Sequence, residues 1–510
     1  MPRRGPLSES YAGAAATVVL CLVPYLTLTA AVFPLASDIA ASLHMTPTSL
    51  DVAIGMSTAA YAVGTVLAVQ FATHLPARRM LVVYVALFAA SAVVTAWAPD
   101  AGVFVGGFVA QGLCTSLMLI AAVPPLVTGF GHEKMPTTGL VMNLCIFGAV
   151  AAGPTLGEIQ ASSSGDWRPL FWGVAGLAVG ALVFTFLTFK DVPPVDRSAP
   201  WDFVAIGLAV CGSSLAFFGA SWLEATTSVG WASLGPLVSG GALLGALVVY
   251  EYLVRHPLMP VKQLATTFPV FGVLVAACAS ASSFGLMELI MTSLDKTTAP
   301  TTAGLYFLPE LGAAVAMAGV FGALFRTRYT PVLAIGGLVV IVGAAALLLE
   351  VAVTPGPLVA LATGMLGIGV GASVSPALFV AGFSLRSSEV QRVFALVELL
   401  RGVTAFLVAP ILVFLAAVLA ASATAGLVDA ISLCLAIAAA GTLAAAGLLW
   451  AGRARLQTPD LARWQQTTPA WHSPPPFARF RPEAEEDADA ARAEEAGEGD
   501  HSEPAARAAQ

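Results

Sequence analysis

The chain has 510 residues, of which 58% are hydrophobic and only 10% are charged. Because an ordinary soluble domain carries roughly 25% charged residues, this composition excludes a soluble globular protein, and the mean hydropathy of +0.85 agrees. The net charge is −7, but residues 472–510 contribute −6 of it through ten acidic residues and four arginines. The rest of the chain is nearly neutral, so its charge indicates neither an acidic nor a basic binding partner.

Fourteen long apolar segments follow one another between residues 12 and 451. A run of about 20 apolar residues crosses the ~30 Å hydrocarbon core as a helix, and a helix is required because lipid offers backbone groups no hydrogen-bond partners. The sequence therefore predicts an all-α integral membrane protein. Its predicted spans are 12–35, 49–72, 78–98, 102–129, 136–159, 169–190, 201–222, 232–254, 267–292, 302–325, 331–352, 355–381, 391–418 and 423–451.

The basic residues fall almost entirely on alternate loops. If the N-terminus lies inside, the outer loops carry only Arg168 and Lys296. The inner loops and their edges carry Arg78, Arg79, Lys134, Lys190, Arg197, Arg255, Lys262, Arg326, Arg328, Arg386 and Arg392. Such an excess of inner basic residues is typical of multi-pass proteins. It predicts an even number of spans in the cell membrane, with both termini cytoplasmic.

The composition changes after the last span. Residues 456–510 include the prolines of HSPPPF and the acidic run PEAEEDADAARAEEAGEGD. Such a segment has too little apolar content to fold alone. We expect it to be a disordered, acidic, cytoplasmic tail.

Two neighbouring stretches carry a family resemblance. The run GAVAAGPTLGE contains Gly148, Gly153, Pro154 and Gly157 in the fifth span, and DWRPLFWGVAGLAVG follows at residues 166–180. Together they resemble the antiporter motif and the entry to the sixth helix in the fourteen-helix drug:proton antiporter branch of the major facilitator superfamily (the EmrB/QacA type). Glycine and proline there would permit close helix contact and a bend.

Weaker matches occur in the same order as in that branch. Gln111 and Gly112 are similar to the end of a fourth-helix motif, the HPL of residues 256–258 follows Glu251, and Arg401 is similar to an arginine of the thirteenth helix. The resemblance implies two six-helix halves (residues 1–199 and 259–455) around two extra helices (residues 200–258). It also implies a substrate site between the halves.

Other positions depart from the pattern of the branch. Tyr25 stands where a first-helix aspartate would align, and Phe108 stands where a fourth-helix arginine would align. The loop after the second span reads QFATHLPARR, with His74 in place of an aspartate, although Arg78 and Arg79 remain. These departures remove residues that the resemblance links to proton coupling and gating.

Three ionisable residues lie well inside predicted spans. A charged residue there is costly, so it normally faces the bundle interior or a watery cavity. Glu310 lies about two turns into the tenth span, and Glu398 with Arg401 lies about two to three turns into the thirteenth. Either glutamate could carry a proton, because burial disfavours the charged form of a carboxyl group. The alternatives are structural burial for Glu310 and mutual neutralisation for the Glu398–Arg401 pair.

Uncharged side chains supply further candidates for a substrate pathway. Gln111, Asn143 and Ser375 are polar candidates: Gln111 rests on its motif match, and Asn143 could line the central cavity or bridge helices. Met118, Met142, Met287 and Met291 could line an adaptable apolar pocket or face lipid.

The residues indicate no enzyme. His132 and Glu133 begin like a zinc motif, but Pro136 stands where the second histidine is needed. We expect no metal, no cofactor, no nucleic acid and no obligate protein partner. The predicted function is export of hydrophobic or amphipathic small molecules across the lipid membrane in exchange for protons. An uncoupled facilitator or importer, or a sensor or assembly subunit that no longer transports, are the alternatives.

Overall fold

A computed structural model describes residues 7, 9–164, 166–188, 199–418 and 423–480. Within these residues fourteen helices are long and apolar enough to cross a membrane, and no strand occurs. These helices are α1 (Tyr11–Ala31), α2 (Pro47–His74), α3 (Ala77–Trp97), α4 (Ala101–Thr128), α5 (His132–Ser163), α6 (Arg168–Thr188), α7 (Phe203–Thr226), α8 (Trp231–Leu253), α9 (Thr267–Asp295), α10 (Thr302–Leu324), α11 (Thr330–Val351), α12 (Pro357–Phe383), α13 (Ser387–Val418) and α14 (Ala425–Ala451). The predicted all-α membrane fold and the count of fourteen spans are confirmed.

Local side-chain caps set several helix starts. The side chain of Ser10 accepts a hydrogen bond from Gly13 N at the start of α1. Asp100 and Asp202 accept in the same way from the backbone N–H groups of the first turns of α4 and α7. Because the first N–H groups of a helix lack intrahelical partners, such caps fix where each helix begins.

The extra helix pair lies beside the interface of the two halves. Helix α7 packs against α2 of the first half and α13 of the second, and α8 packs on α7. A Cβ atom at Gly55 would lie 1.9 Å from Ser221 Oγ, and one at Gly240 would lie 2.2 Å from Ala216 N. The missing side chains therefore let α7 approach both α2 and α8 closely.

The two ends of the bundle are distinguished here by the chain terminus that packs on one of them. The tail face is the end where α1, α9 and α13 begin and α12 ends, and it is covered by residues 457–480. The far face is the opposite end, where α1 and α9 end and α2 begins.

The prediction of a disordered tail over residues 456–510 is wrong for residues 457–480, which pack on the bundle. Residues 457–480, called the strap below, include a short helix (Leu461–Gln465). Trp464 is fully buried, and Trp471 is 5% exposed. The rings of these two tryptophans supply the apolar area that makes packing favourable. The acidic residues 481–510 and the loop residues Lys190 and Arg197 lie outside the described residues.

Candidate functional site

A cavity of about 370 Å³ lies between the two halves, in the part of the bundle nearer the far face. Its walls come from α1, α2, α4, α7, α9 and α13. The lining residues are Tyr25, Thr29, Phe33, Asp51, Ile54, Gly55, Thr58, Phe108, Ser221, Glu224, Phe284, Met287, Glu288, Met291, Thr292, Asp295, Lys296, Phe406, Ala409, Pro410 and Val413. Both halves and the extra helix α7 therefore contribute to one site.

Tyr25 and Phe108, two of the residues that depart from the family pattern, lie next to each other on the wall of this cavity. Tyr25 and Phe108 have ring centroids 6.0 Å apart. The Tyr25 hydroxyl lies 2.7 Å from Ser57 Oγ, and Ser57 Oγ donates to Phe108 O at 2.8 Å. Aromatic groups in a satisfied hydrogen-bond network thus occupy positions where the resemblance implies charges.

The charge of the cavity comes from other residues. Asp51 of α2, Glu224 of α7, and Glu288 and Asp295 of α9 line it, and among the described residues Lys296 is its only basic lining residue. The carboxyl groups of Glu224 and Glu288 lie within hydrogen-bonding reach of each other. Because two adjacent carboxylates repel, such a pair is favourable only when it shares a proton.

A second carboxyl contact connects the halves closer to the far face. Glu158 of α5 is buried, and its carboxyl group reaches that of Asp295 on α9. Beside it, Thr155 Oγ1 donates to Gly304 O at 3.0 Å. Both carboxyl contacts therefore end on α9, at positions seven residues apart on one helix face.

Sequence reasoning missed most of these acids. Glu158 and Glu288 lie near the ends of the predicted spans 136–159 and 267–292, and Glu224 and Asp295 lie beyond the ends of theirs. The spacing of Glu288 and Asp295 is a usable signal, because two turns separate them on the same face. Nothing in the sequence places Glu224 opposite Glu288, since 64 residues separate them along the chain.

Glu310 lies in a separate small cavity next to the main one. It is 7% exposed, and its Oε2 atom has no hydrogen-bond partner among the described residues. Phe284 and Met287 line both cavities and so form the wall between them. The other lining residues of the small cavity are Phe147, Val150, Ala151, Ser283, Ala314, Gly367 and Val370. Glu310 is thus placed near the candidate site but outside its wall.

Glu398 and Arg401 form a buried ion pair on α13. Arg401 Nε donates to Glu398 Oε2 at 3.0 Å, and Arg401 Nη2 pairs with Oε1. The hydroxyl of Tyr61, on α2 of the opposite half, donates to the same Oε1 at 2.8 Å. Tyr61 in turn stacks on Tyr25, with centroids 6.3 Å apart. The pair joins the two halves on the tail-face side of the cavity, and this geometry fits mutual neutralisation.

The two candidate amides bond to neighbouring helices. Gln111 is fully buried and donates to Thr95 Oγ1 at 2.8 Å, within the first half. Asn143 donates to Gly371 O at 2.9 Å, across the two halves. Neither residue lines the main cavity, so both are bridges between helices in this arrangement.

The glycines of the antiporter-like motif pack inside the first half. A Cβ atom at Gly153 would lie 2.6 Å from Ala30 Cβ, and one at Gly157 would lie 2.5 Å from Ala31 O. A Cβ at Gly148 would meet only Leu144, at an ordinary 3.7 Å. Two of the three glycines, on either side of Pro154, therefore allow α5 to contact α1 closely.

The loop after α2 is held by a ring contact and by hydrogen bonds to backbone oxygens. His74 stacks on Trp201 with centroids 4.5 Å apart, and its Nε2 lies 2.8 Å from Ala199 O. Arg78 Nη2 donates to Phe186 O at 3.1 Å, and Arg79 is exposed at the start of α3. The segment that leads into α7 therefore packs directly on this loop.

Known proteins resemble the chain in sequence. It is 28% identical over 274 residues to the uncharacterized MFS-type transporter YubD of Bacillus subtilis (strain 168), a match that covers 52% of this chain and 53% of that protein. It is 26% identical over 258 residues to the lincomycin resistance protein LmrB of Listeria monocytogenes serovar 1/2a, covering 50% and 54%. The chain thus spans about half the length of the curated relatives it matches.

Solved structures resemble it in fold. The human organic anion transporter MFSD10 (TETRAN) gives a TM-score of 0.60 at 12% identity, over 86% of this chain and 99% of that one. A peptide transporter POT gives 0.59 at 14% identity, over 88% and 96%. The family model for the Major Facilitator Superfamily matches residues 18–410. With that match, two helical halves and a cavity between them, the chain belongs to the Major Facilitator Superfamily.

Proposed function

We propose that this chain exports amphipathic, positively charged small molecules across the cell membrane in exchange for protons, as a member of the fourteen-helix drug:proton antiporter branch. The observation that carries the proposal is the cavity between the halves, which combines apolar walls with four acidic side chains. Lipid surrounds the protein, and both termini lie on the cytoplasmic side.

The cavity suits a molecule with an apolar body and a cationic group. Its volume of about 370 Å³ is within the usual range for small-molecule sites, roughly 300–1,000 Å³. Phe284 and Phe406 meet edge to face at 5.2 Å, and Met287 and Met291 add adaptable apolar surface. Aromatic faces also attract cations. The acids outnumber the single basic lining residue, Lys296, by four to one.

The Glu224–Glu288 pair supplies a direct route to proton exchange. The two carboxyl groups remain together while they share a proton. A bound cation would stabilise both groups in the charged form and release that proton. Proton and substrate would then compete for one site, which is the requirement for antiport.

The direction of transport rests on the charge of the loops and on one relative. The basic loops favour a cytoplasmic tail face, which would put the cavity in the outer part of the membrane in this conformation. The name of the relative LmrB records resistance to lincomycin, which favours export of a toxic compound. The aromatic residues at Tyr25 and Phe108 instead favour a second candidate, an uncoupled facilitator.

Vesicle transport distinguishes these functions. Inverted membrane vesicles containing the protein should accumulate a fluorescent amphipathic cation when their interior is acid, and collapse of the pH gradient should release it. Glu288→Gln should abolish this uptake, because it removes one carboxyl group of the pair that is proposed to exchange the proton. Glu310→Gln tests whether the small cavity takes part in the coupling as well. Glu350→Gln is the matched control, because Glu350 is an exposed acid of α11. Equilibration without accumulation would select the facilitator, and no uptake of any tested cation would contradict the proposed export.

A further inference from the structure

The strap completes the start of α9. Thr267 N donates to Pro474 O at 2.9 Å, and Phe268 N donates to Ser473 Oγ at 3.0 Å. Thr266, the residue before the helix, provides no side-chain cap of its own. Because the first N–H groups of a helix have no partners within it, the strap satisfies donors that α9 would otherwise leave unpaired.

The strap also completes the end of α12. Ala470 N donates to Phe383 O at 2.8 Å, and Trp464 Nε1 donates to Leu385 O at 2.9 Å. The Trp464 ring meets the Phe383 ring at 4.8 Å. Trp464 is fully buried in these contacts, so the strap is a firm part of the second half.

A different kind of contact connects the strap to the first half. Gln465 Nε2 donates to Phe130 O at 2.7 Å, and Phe130 is held in the first half by its edge-on ring contact with Tyr11 at 5.3 Å. Beside this bond a cavity of about 390 Å³ is lined by strap residues 458–462, by His132 of the first half and by Arg326 of the second. Among the described residues, the Gln465–Phe130 bond is the only hydrogen bond from the strap to the first half.

We propose that the strap is a latch of the tail face, fixed to the second half and released from the first whenever the tail face opens. Opening separates the two halves at that face, so the bond between Gln465 and Phe130 must break while the tryptophan contacts persist. A single hydrogen bond contributes little net free energy, and the latch is therefore readily reversible. It shifts the balance between closed and open tail faces toward the closed state.

Distances between spin labels test the latch without any substrate. One label replaces Glu133 in the first half and the other replaces Arg328 in the second, both exposed at the tail face. Gln465→Ala should increase the ratio of open to closed molecules roughly two- to tenfold, the loss of one hydrogen bond. The matched control is Gln466→Ala, because Gln466 is the same residue type, one position later and exposed. Identical distance distributions in all three proteins would overturn the proposal.

Cross-linking tests the same contact by making it permanent. Phe130→Cys with Gln465→Cys, joined by a short bifunctional thiol reagent, should stop transport, and a reductant that cleaves the reagent should restore it. Thr266→Cys with Ser473→Cys is the control, because those hydroxyls are 2.9 Å apart on elements that move together. Full transport by the cross-linked 130–465 protein would contradict the latch. The distance measurement decides the matter even if the proposed transport is not found.

Discussion

The two ends of the interface between the halves differ in whether their buried carboxyl groups are paired with a cation. Toward the tail face, the buried carboxylate of Glu398 is matched by Arg401 and by the hydroxyl of Tyr61. Toward the far face, the carboxyl groups of Glu224 and Glu288 lie beside each other and near Asp51, on the wall of the cavity. Matched charge leaves nothing for a ligand to neutralise, whereas carboxyl groups in contact can accept a proton or a cation. The difference supports the proposed proton and cation exchange in the far part of the interface and the proposed closure in the part nearer the tail face.

The largest expected effect comes from removing the cation of the Glu398–Arg401 ion pair. Arg401→Met leaves Glu398 buried without a cation, which we expect to lower the free energy of unfolding by about 3–5 kcal/mol. Thermal unfolding of the purified protein in detergent measures the loss. The double variant with Glu398→Gln should recover most of it, because no uncompensated charge remains. Equal instability of the single and double variants would show that the ion pair is not a self-neutralising unit.

The next effect belongs to the far end. Glu224→Gln removes one of the carboxylates that a cation would meet, and we expect affinity for an amphipathic cation to fall roughly 10- to 100-fold. In the unaltered protein, affinity should decrease as the pH falls, because protons compete for the pair. The variant should show a weaker pH dependence. Fluorescence titration of a cationic dye at several pH values measures both quantities, with Glu350→Gln as control. Unchanged affinity in Glu224→Gln would exclude α7 from the substrate site.

A smaller effect is expected from the uncharged bridge between the halves. Asn143→Ala removes the bond to Gly371 O, and we expect the ratio of open to closed tail faces to rise roughly two- to tenfold. Spin labels at residues 133 and 328 report this ratio. Gln111→Ala is the comparison, because Gln111 bonds to Thr95 within one half. If both variants shift the ratio equally, the bridge has no special role in closure.

The smallest effect is expected at the degenerate loop. Arg78 donates an exposed hydrogen bond to Phe186 O, and exposed polar contacts contribute little to stability. Arg78→Gln should therefore change transport less than about twofold and stability by less than about 0.5 kcal/mol. Vesicle uptake and thermal unfolding measure these. A large loss of uptake would show that the loop retains a gating role despite its missing partners.

The sequence predicts the local features of the site better than its pairings. The Glu398–Arg401 contact follows from a spacing of three residues on one helix, and the close packing at Gly153 and Gly157 follows from the missing side chains. Gln111 and Asn143 are buried and bond to Thr95 and Gly371, but these partners are not predictable from the sequence. Each partner lies on another helix, and its position depends on how the helices cross.

The composition of the strap likewise does not predict that the strap is folded. Prolines and an acidic run predict disorder for everything after residue 456, yet Trp464 and Trp471 bury their rings against α9 and α12. Two aromatic residues in a polar segment gain most of their stabilisation from a surface that another part of the chain provides. The composition of the tail carries no information about that surface, because the surface belongs to α9 and α12.

By itself, the sequence determined that this is a fourteen-span membrane protein and where each span lies. Hydrophobic length is a local property, and the cost of unpaired backbone groups in lipid makes each long apolar run a helix. Only the tertiary structure decided which acids face the cavity. Membrane helices are apolar on the sides that face both lipid and protein, so their sequences carry little periodic signal of which side is inside. The meeting of Glu224 with Glu288 is therefore a property of helix packing.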